Sequence, residues 1–173
     1  MSSTPKYRRL TTLDPKSPSA IVSLAPWLMN ESAFLNRSNM AVQLVAEQTI
    51  TVGVKVVVEG PSPSQQFGVV FEDDGDTGYL YGLDFSKQDN PILDAMHIYN
   101  VAQVSDRHKP SQVQLVWSND GLKAALLINK YAHAIFDFQG KRGYCRTGFP
   151  PSSSTGFSKD GHEWDDAAKE LFR

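Results

Sequence analysis

The sequence predicts an α+β fold that is mainly antiparallel β sheet, with a short C-terminal helix and one or two further short helices. Three observations lead to this prediction. Apolar and polar residues alternate along much of residues 41–150, turn-forming pairs such as Asp74-Gly75 separate the alternating runs, and the final stretch HEWDDAAKELF has helical spacing. At 173 residues the chain is long enough for one domain with a full core.

The chain divides into three predicted parts. Residues 1–40 form an N-terminal arm with a short apolar or helical segment, because residues 1–20 are rich in Ser, Thr, Pro and Lys and a brief helix could be capped at Asn30 or Ser32. Residues 41–150 form a β-rich core domain. Residues 151–173 form a loop and a C-terminal helix that packs on this core.

The first predicted strands lie between residues 48 and 85. In QTITVGVKVVVEG, period-two spacing places on one face the residues Ile50, Val52, Val54, Val56 and Val58. FGVVFED and TGYLYGLDF then form a hairpin whose turn is Asp74-Gly75. The stretch ILDAMHIYNVAQV is ambiguous, because its apolar spacing fits a helix while HIYNVAQV fits a strand.

The clearest prediction follows at residues 111–138. SQVQLVWSNDGLKAALLINKYAHAIFDF reads as three strands with short turns at residues 119–121 and at Asn129-Lys130. The final helix has Asp160 as a candidate cap. Its predicted inner side consists of Trp164, Ala168, Leu171 and Phe172.

The composition of the chain disfavours several classes of function. A formal net charge of −2 gives no general attraction to nucleic acid or anionic lipid, so neither a nucleic-acid nor a membrane partner is expected. The apolar run IVSLAPWLM at residues 21–29 is short and contains Pro26, so it predicts neither a spanning helix nor a signal peptide. One cysteine cannot form an internal disulfide. A cytoplasmic protein is the expectation, and the oligomeric state stays open.

Four acids in FEDDGDTGYLYGLD, which are Glu72, Asp73, Asp74 and Asp76, are the candidate partner-binding residues. A calcium loop is disfavoured, because Gly78 occupies the next alternate position and no glutamate follows at the required distance. A catalytic carboxylate pair is also disfavoured, because neighbouring strand residues point to opposite faces. The acidic tip of a hairpin is the favoured interpretation, with loose divalent binding and an acidic contact surface as alternatives.

The other residues that could act in catalysis or metal binding form no recognised motif. The four histidines, at positions 97, 108, 133 and 162, form neither an HxH nor an HExxH pattern. Cys145 has arginines nearby that could lower the pKa of its thiol, but no local base accompanies it. No catalytic residue, metal ligand or cofactor is therefore assigned, and the roles of Cys145 and His133 stay open.

Four segments occur in an order that resembles a bacterial family, a domain of unknown function named DUF2251. They are FEDDGDTGYLYGLD, ILDAMHIYNV, VQLVWSNDGLKAALLINKYAHAIFDF and RGYCRTGFP, and the resemblance covers approximately residues 65–150. It implies a compact bacterial domain. The family has no assigned activity, so the resemblance transfers no catalytic residue.

The function favoured by the sequence is a non-enzymatic protein-binding module, such as an immunity-type inhibitor of a bacterial toxin, that binds its protein partner through the acidic hairpin. An enzyme or a metal-dependent activity is an alternative, and it would use His97, His133, Asp137 or Cys145. A small-ligand pocket lined by the tyrosines and Trp117 is a further alternative.

Overall fold

The computed structural model describes residues 42–172. The expected N-terminal arm and its short helix lie outside these residues. Within the described range the chain forms nine strands. They are β1 (Val42–Thr51), β2 (Val56–Pro61), β3 (Phe67–Asp73), β4 (Thr77–Asp84), β5 (Ile92–Asn100), β6 (Pro110–Ser118), β7 (Lys123–Ile128), β8 (Tyr131–Asp137) and β9 (Arg142–Cys145).

The strands form two antiparallel sheets that pack face to face. One sheet has five strands in the order β1-β6-β7-β8-β9, and the other has four in the order β2-β3-β4-β5. Inner-facing residues of both sheets build a single main core. Its largest fully buried side chains include Trp117, Phe71, Phe136, Leu80 and Met96. Burying each such side chain stabilises the fold by about 1.5–3 kcal/mol.

Two of the hairpin turns in the five-stranded sheet follow from their residues. Gly121 in the β6–β7 turn has φ +70°, and Asn129 and Lys130 between β7 and β8 have φ 51° and 69°. Two successive residues with positive φ match the right-handed twist of the strands they join. The predicted strand succession at residues 111–138 is therefore confirmed.

The outer face of the five-stranded sheet carries a second apolar cluster, covered by the C-terminal segment. A 3-10 helix at Asp166–Phe172 places Ala168 and Phe172 against Val116, Ala125 and Leu127. Trp164 and Leu171 pack at the edge of the same cluster.

Antiparallel sheets are confirmed as the main architecture, but the predicted α+β class contained too much helix. In residues 42–172 the helical segments are 3-10 helices, at Val101–Gln103 and Asp166–Phe172. The ambiguous stretch after residue 91 forms the strand β5, because it pairs with β4 along its length. Asp160 does not cap the last helix, which begins six residues later.

The predicted continuous strand at residues 48–60 is also wrong. Gly53 has φ +88°, and the Val54 amide donates to the Thr51 carbonyl at 3.0 Å, so a tight turn separates β1 from β2. The two strands belong to different sheets. Val54 consequently leaves the expected apolar face and is 59% exposed.

Candidate functional site

The acidic stretch forms the predicted hairpin, with its turn between Asp73 and Thr77. Asp74 caps this turn, since its Oδ1 accepts hydrogen bonds from the amides of Asp76 at 2.9 Å and Thr77 at 2.8 Å. Burial alone would raise the pKa of Asp74, but these hydrogen bonds, the Thr77 hydroxyl and the charge of Lys55 lower it below its ordinary value. Asp74 therefore stays ionised at the tip.

Asp73 points the other way, into the protein, and is only 1% exposed. Its Oδ2 accepts hydrogen bonds from the Gly53 amide at 2.8 Å and the Tyr99 hydroxyl at 2.7 Å. Its Oδ1 accepts one from the Gly75 amide at 2.9 Å. One buried carboxylate thus joins the β1–β2 turn, the hairpin turn and strand β5.

The remaining two acids lie at the surface. Glu72 is half-buried on the outer face of the four-stranded sheet, opposite Val57 on β2 and Tyr79 on β4. Asp76 is exposed, and its carbonyl accepts a hydrogen bond from the Val101 amide at 2.9 Å. The structure therefore brings Glu72, Asp74 and Asp76 to one end of the sheet and separates Asp73 from them.

Two exposed valines lie next to these acids. Val54 is in the β1–β2 turn that Asp73 ties to the hairpin, and Val57 is 48% exposed. We call the surface formed by Val54, Val57, Glu72, Asp74 and Asp76 the acidic tip. Exposed apolar side chains surrounded by charged ones are typical of surfaces that contact another macromolecule.

A second polar group, which sequence spacing did not reveal, lies inside the protein. The Asp94 Oδ2 accepts a hydrogen bond from the Ser158 hydroxyl at 2.5 Å and lies 2.8 Å from the His162 Nε2. The His162 Nδ1 lies 2.6 Å from the Pro150 carbonyl oxygen. Both ring nitrogens face acceptors, which favours the protonated imidazole. Burial lowers the pKa of His162, but the hydrogen bonds to Asp94 and Pro150 and the Asp94 charge raise it overall.

This polar group is not arranged for nucleophilic catalysis. Ser158 and His162 both contact the same carboxylate oxygen, whereas the serine of a catalytic triad donates to the histidine. Ser158 is 6% exposed and also accepts a hydrogen bond from the Gly143 amide. Its role is to fasten the loop after β9 to strands β5 and β9.

Two of the positions considered for chemistry contact the same loop residue, since the Thr147 hydroxyl donates to the His97 carbonyl and lies 3.4 Å from the Cys145 Sγ. His97 contacts Asn100 through Nε2 at 3.1 Å, and the Asp137 carboxylate accepts from the Gly140 amide. Burial, followed by the charge of Arg146, lowers the pKa of His133 to about 4. Cys145 is fully buried. Over residues 42–172, no three His, Cys, Asp or Glu side chains are placed to hold a metal ion.

No helix within the described part of the chain is long and apolar enough to cross a membrane.

Comparison with known proteins identifies one relative and one family. A curated protein of Haemophilus influenzae, described as an uncharacterized protein, is 44% identical over 86 residues, which is 50% of this chain and 53% of that protein. The chain therefore spans about half the length of the curated relative it matches. No solved structure matches the chain.

The family match is longer than the sequence motifs suggested. The quoted motifs cover approximately residues 65–150, and the family model extends this range at both ends, to include the end of β1, the whole β1–β2 turn, β2 and the C-terminal helix. Residues 50–173 match the model for the DUF2251 family, described as an uncharacterized protein conserved in bacteria, and the chain therefore belongs to this family.

Proposed function

We propose that this protein is a non-enzymatic protein-binding module that binds a basic protein partner through the acidic tip. The observation that supports this proposal is the combination of three surface carboxylates, Glu72, Asp74 and Asp76, with two exposed valines, one in the β1–β2 turn and one on β2. Valines that are 59% and 48% exposed supply apolar contact area, and the carboxylates supply charge complementary to lysine or arginine.

The hydrogen bonds that fix the acidic tip favour a binding role over a catalytic role. Asp73 ties the two turns together from inside, and Asp74 closes the hairpin turn through two backbone amides. A surface held in this way loses little conformational entropy when a partner binds, which improves affinity.

The partner class that fits is a protein with a basic cleft. We propose a bacterial toxin whose active site binds phosphate, since such a site presents lysine and arginine side chains that an acidic tip can occupy in place of phosphate. The module would then act as an immunity-type inhibitor. Its carboxylates would compete with the phosphate groups of the toxin substrate.

The test compares two charge-reversed proteins that differ only in where the charge changes. The tip variant carries Glu72→Lys and Asp76→Lys, and the control carries Asp89→Lys and Asp160→Lys, which are also exposed. Partners are captured from lysate of the native bacterium with the unmodified chain and identified by mass spectrometry. The association rate of each purified partner is then measured with all three proteins between low and high salt.

The proposal expects the tip variant to associate about tenfold more slowly at low salt, with a smaller difference at high salt, because exposed charges are screened there. The control should keep the rate of the unmodified chain to within about threefold. A tip variant with unchanged association rate and salt dependence would refute binding through this surface. The substitution Val57→Ser provides a second measurement, since loss of apolar contact should speed dissociation.

A further inference from the structure

The four-stranded sheet has an apolar cluster on its outer face, away from the main core. Val70, Tyr81 and Leu83 alternate with core residues along β3 and β4 and are 1%, 3% and 0% exposed. The partly buried residues that pack against them are Tyr79, Phe85, Ile92 and Ala95. The three central residues of the cluster are as inaccessible to water as the core, although they lie on the outside of the sandwich.

The described residues explain only part of this burial. The Phe85 ring lies over Gly68, where an added Cβ would come within 2.7 Å of it, so Phe85 covers one end of the cluster. In residues 42–172, all members of the cluster belong to β3, β4 and β5 or directly follow β4, and no helix contributes to it. The outer face of the other sheet, in contrast, is covered by the helix Asp166–Phe172.

The partial burial of Glu59 also indicates that the outer face of the four-stranded sheet is covered. Glu59 lies opposite Val70 on the neighbouring strand β2, on the same outer face. Burial raises the pKa of its carboxyl above the ordinary value. Side chains on a sheet face that is open to water keep substantial exposure, so this face needs a cover.

We propose that residues 21–29 of the same chain, IVSLAPWLM, cover the outer face of the four-stranded sheet. Eight of these nine residues are apolar, as Ser23 is the exception, which suits a surface of valine, leucine and tyrosine. This segment is the main apolar run before β1. Glu72 of the acidic tip lies opposite Tyr79 at the margin of this face, but the proposal does not depend on the proposed function, because burial of the cluster requires no binding partner.

The position of Val42, the first described residue, allows residues 21–29 to reach the outer face of the four-stranded sheet. Val42 pairs with Ser118 at the end of β6, and the following turn brings Gly121 near Ser64 in the β2–β3 loop. That loop is next to Phe85, whose amide donates to the Gln66 carbonyl at 2.8 Å. The intervening residues 30–41 can span up to about 40 Å when extended. This length is ample, because packed sheets lie only about 10 Å apart.

The experiment measures how fast a thiol at this face reacts in the full chain. Val70→Cys is placed under the proposed cover, and Val116→Cys is its matched control, because Val116 is 2% exposed on the outer face of the other sheet. Each is combined with four substitutions in the segment, Ile21→Ser, Leu24→Ser, Trp27→Ser and Leu28→Ser. Reaction with a maleimide under native conditions is followed by mass spectrometry, and the chain with only the buried native Cys145 gives the background.

The expected result is a rise of about tenfold or more in the labelling rate at position 70 with no change at position 116, since removing a local cover exposes only what lies beneath it. Continued protection at position 70 would overturn the proposal, because the cover would then come from elsewhere. An equal rise at both positions would also overturn it, as the segment would then stabilise the whole sandwich. Protection that depends on protein concentration would assign the cover to a second copy of the chain and overturn the proposal as well.

Discussion

The buried carboxylate of Asp73 offers the sharpest test of how the hairpin is built. It is 1% exposed and accepts hydrogen bonds from two backbone amides and one hydroxyl, at 2.8, 2.9 and 2.7 Å. In Asp73→Asn the amide group can accept at one oxygen but presents N–H groups at the other position. At least one of the three donors would then be left without an acceptor.

The magnitude follows from these contacts. A hydrogen bond to a charged group contributes about 1.5–3 kcal/mol, and a buried donor left unsatisfied costs about 1–3 kcal/mol. Because the three bonds share one carboxylate, their contributions do not add fully, and we expect Asp73→Asn to lower the free energy of unfolding by about 3–5 kcal/mol. Tyr99→Phe removes one donor and should cost about 1.5–3 kcal/mol.

Urea unfolding, followed by the fluorescence of the three tryptophans, of which Trp117 is fully buried, measures this change as a shift of the midpoint at constant slope. Asp74→Asn is the matched control. It alters an exposed acid of the same turn, and its amide oxygen can still cap the turn, so it should cost less than about 1 kcal/mol. A loss below about 1 kcal/mol for Asp73→Asn would show that the three bonds do not hold the tip.

Three further predictions concern other parts of the fold. The pKa of His162 is raised in the folded state, so its ion pair with Asp94 stabilises the fold fully below about pH 6.5. This stabilisation is lost as the pH rises through the folded-state pKa, and Asp94→Asn should remove this pH dependence in urea titrations. His133 has a lowered pKa of about 4, so stability should fall as the pH drops from about 6.5 towards that value, and His133→Gln should flatten this part of the profile. The Arg146 guanidinium stacks 3.7 Å from the centroid of the Trp164 ring. Arg146→Lys should therefore lower the free energy of unfolding by about 1–2 kcal/mol. An unchanged urea midpoint would contradict a stabilising role for this stacking.

Local signals in the sequence predicted the hairpins well. Asp74-Gly75 and the turn ending at Gly121 both need residues that tolerate positive φ, and glycine supplies this conformation wherever its neighbours lie. The alternation around Trp117 likewise depends only on which face of one strand is buried. Such features can be read from a few adjacent residues.

The arrangement of strands into two sheets could not be read in the same way. The alternating valines at residues 50–58 are compatible with one long strand, and the break at Gly53 follows from a carboxylate 20 residues away in sequence. Strand β1 pairs with β6, and the partner residues Val42 and Ser118 are far apart along the chain. Pairing over such separations leaves no periodic signal.

In the candidate sites, too, local sequence predicted some features, while others depend on residues that are distant in sequence. Composition drew attention to the four acids, but the inward orientation of Asp73 depends on Tyr99, which is 26 residues further along the chain. His162 and Asp94 are separated by 68 residues, and nothing in the local sequence of either predicts their contact. Their pairing requires that the loop after β9 return to strand β5.

The different orientations of the acids change how binding through the tip must be tested. Replacing all four acids together would remove Asp73, and a loss of binding could then reflect a loosened hairpin instead of missing charge. Glu72 and Asp76 can be reversed while Asp73 and Asp74 keep their hydrogen bonds to the turn. If the tip is the contact surface, Glu72→Lys with Asp76→Lys should slow association and lower the urea midpoint only slightly, through the lost Glu72–Tyr81 hydrogen bond, whereas Asp73→Asn should lower the midpoint strongly. These two outcomes separate the charge that meets a partner from the charge that holds the surface in shape.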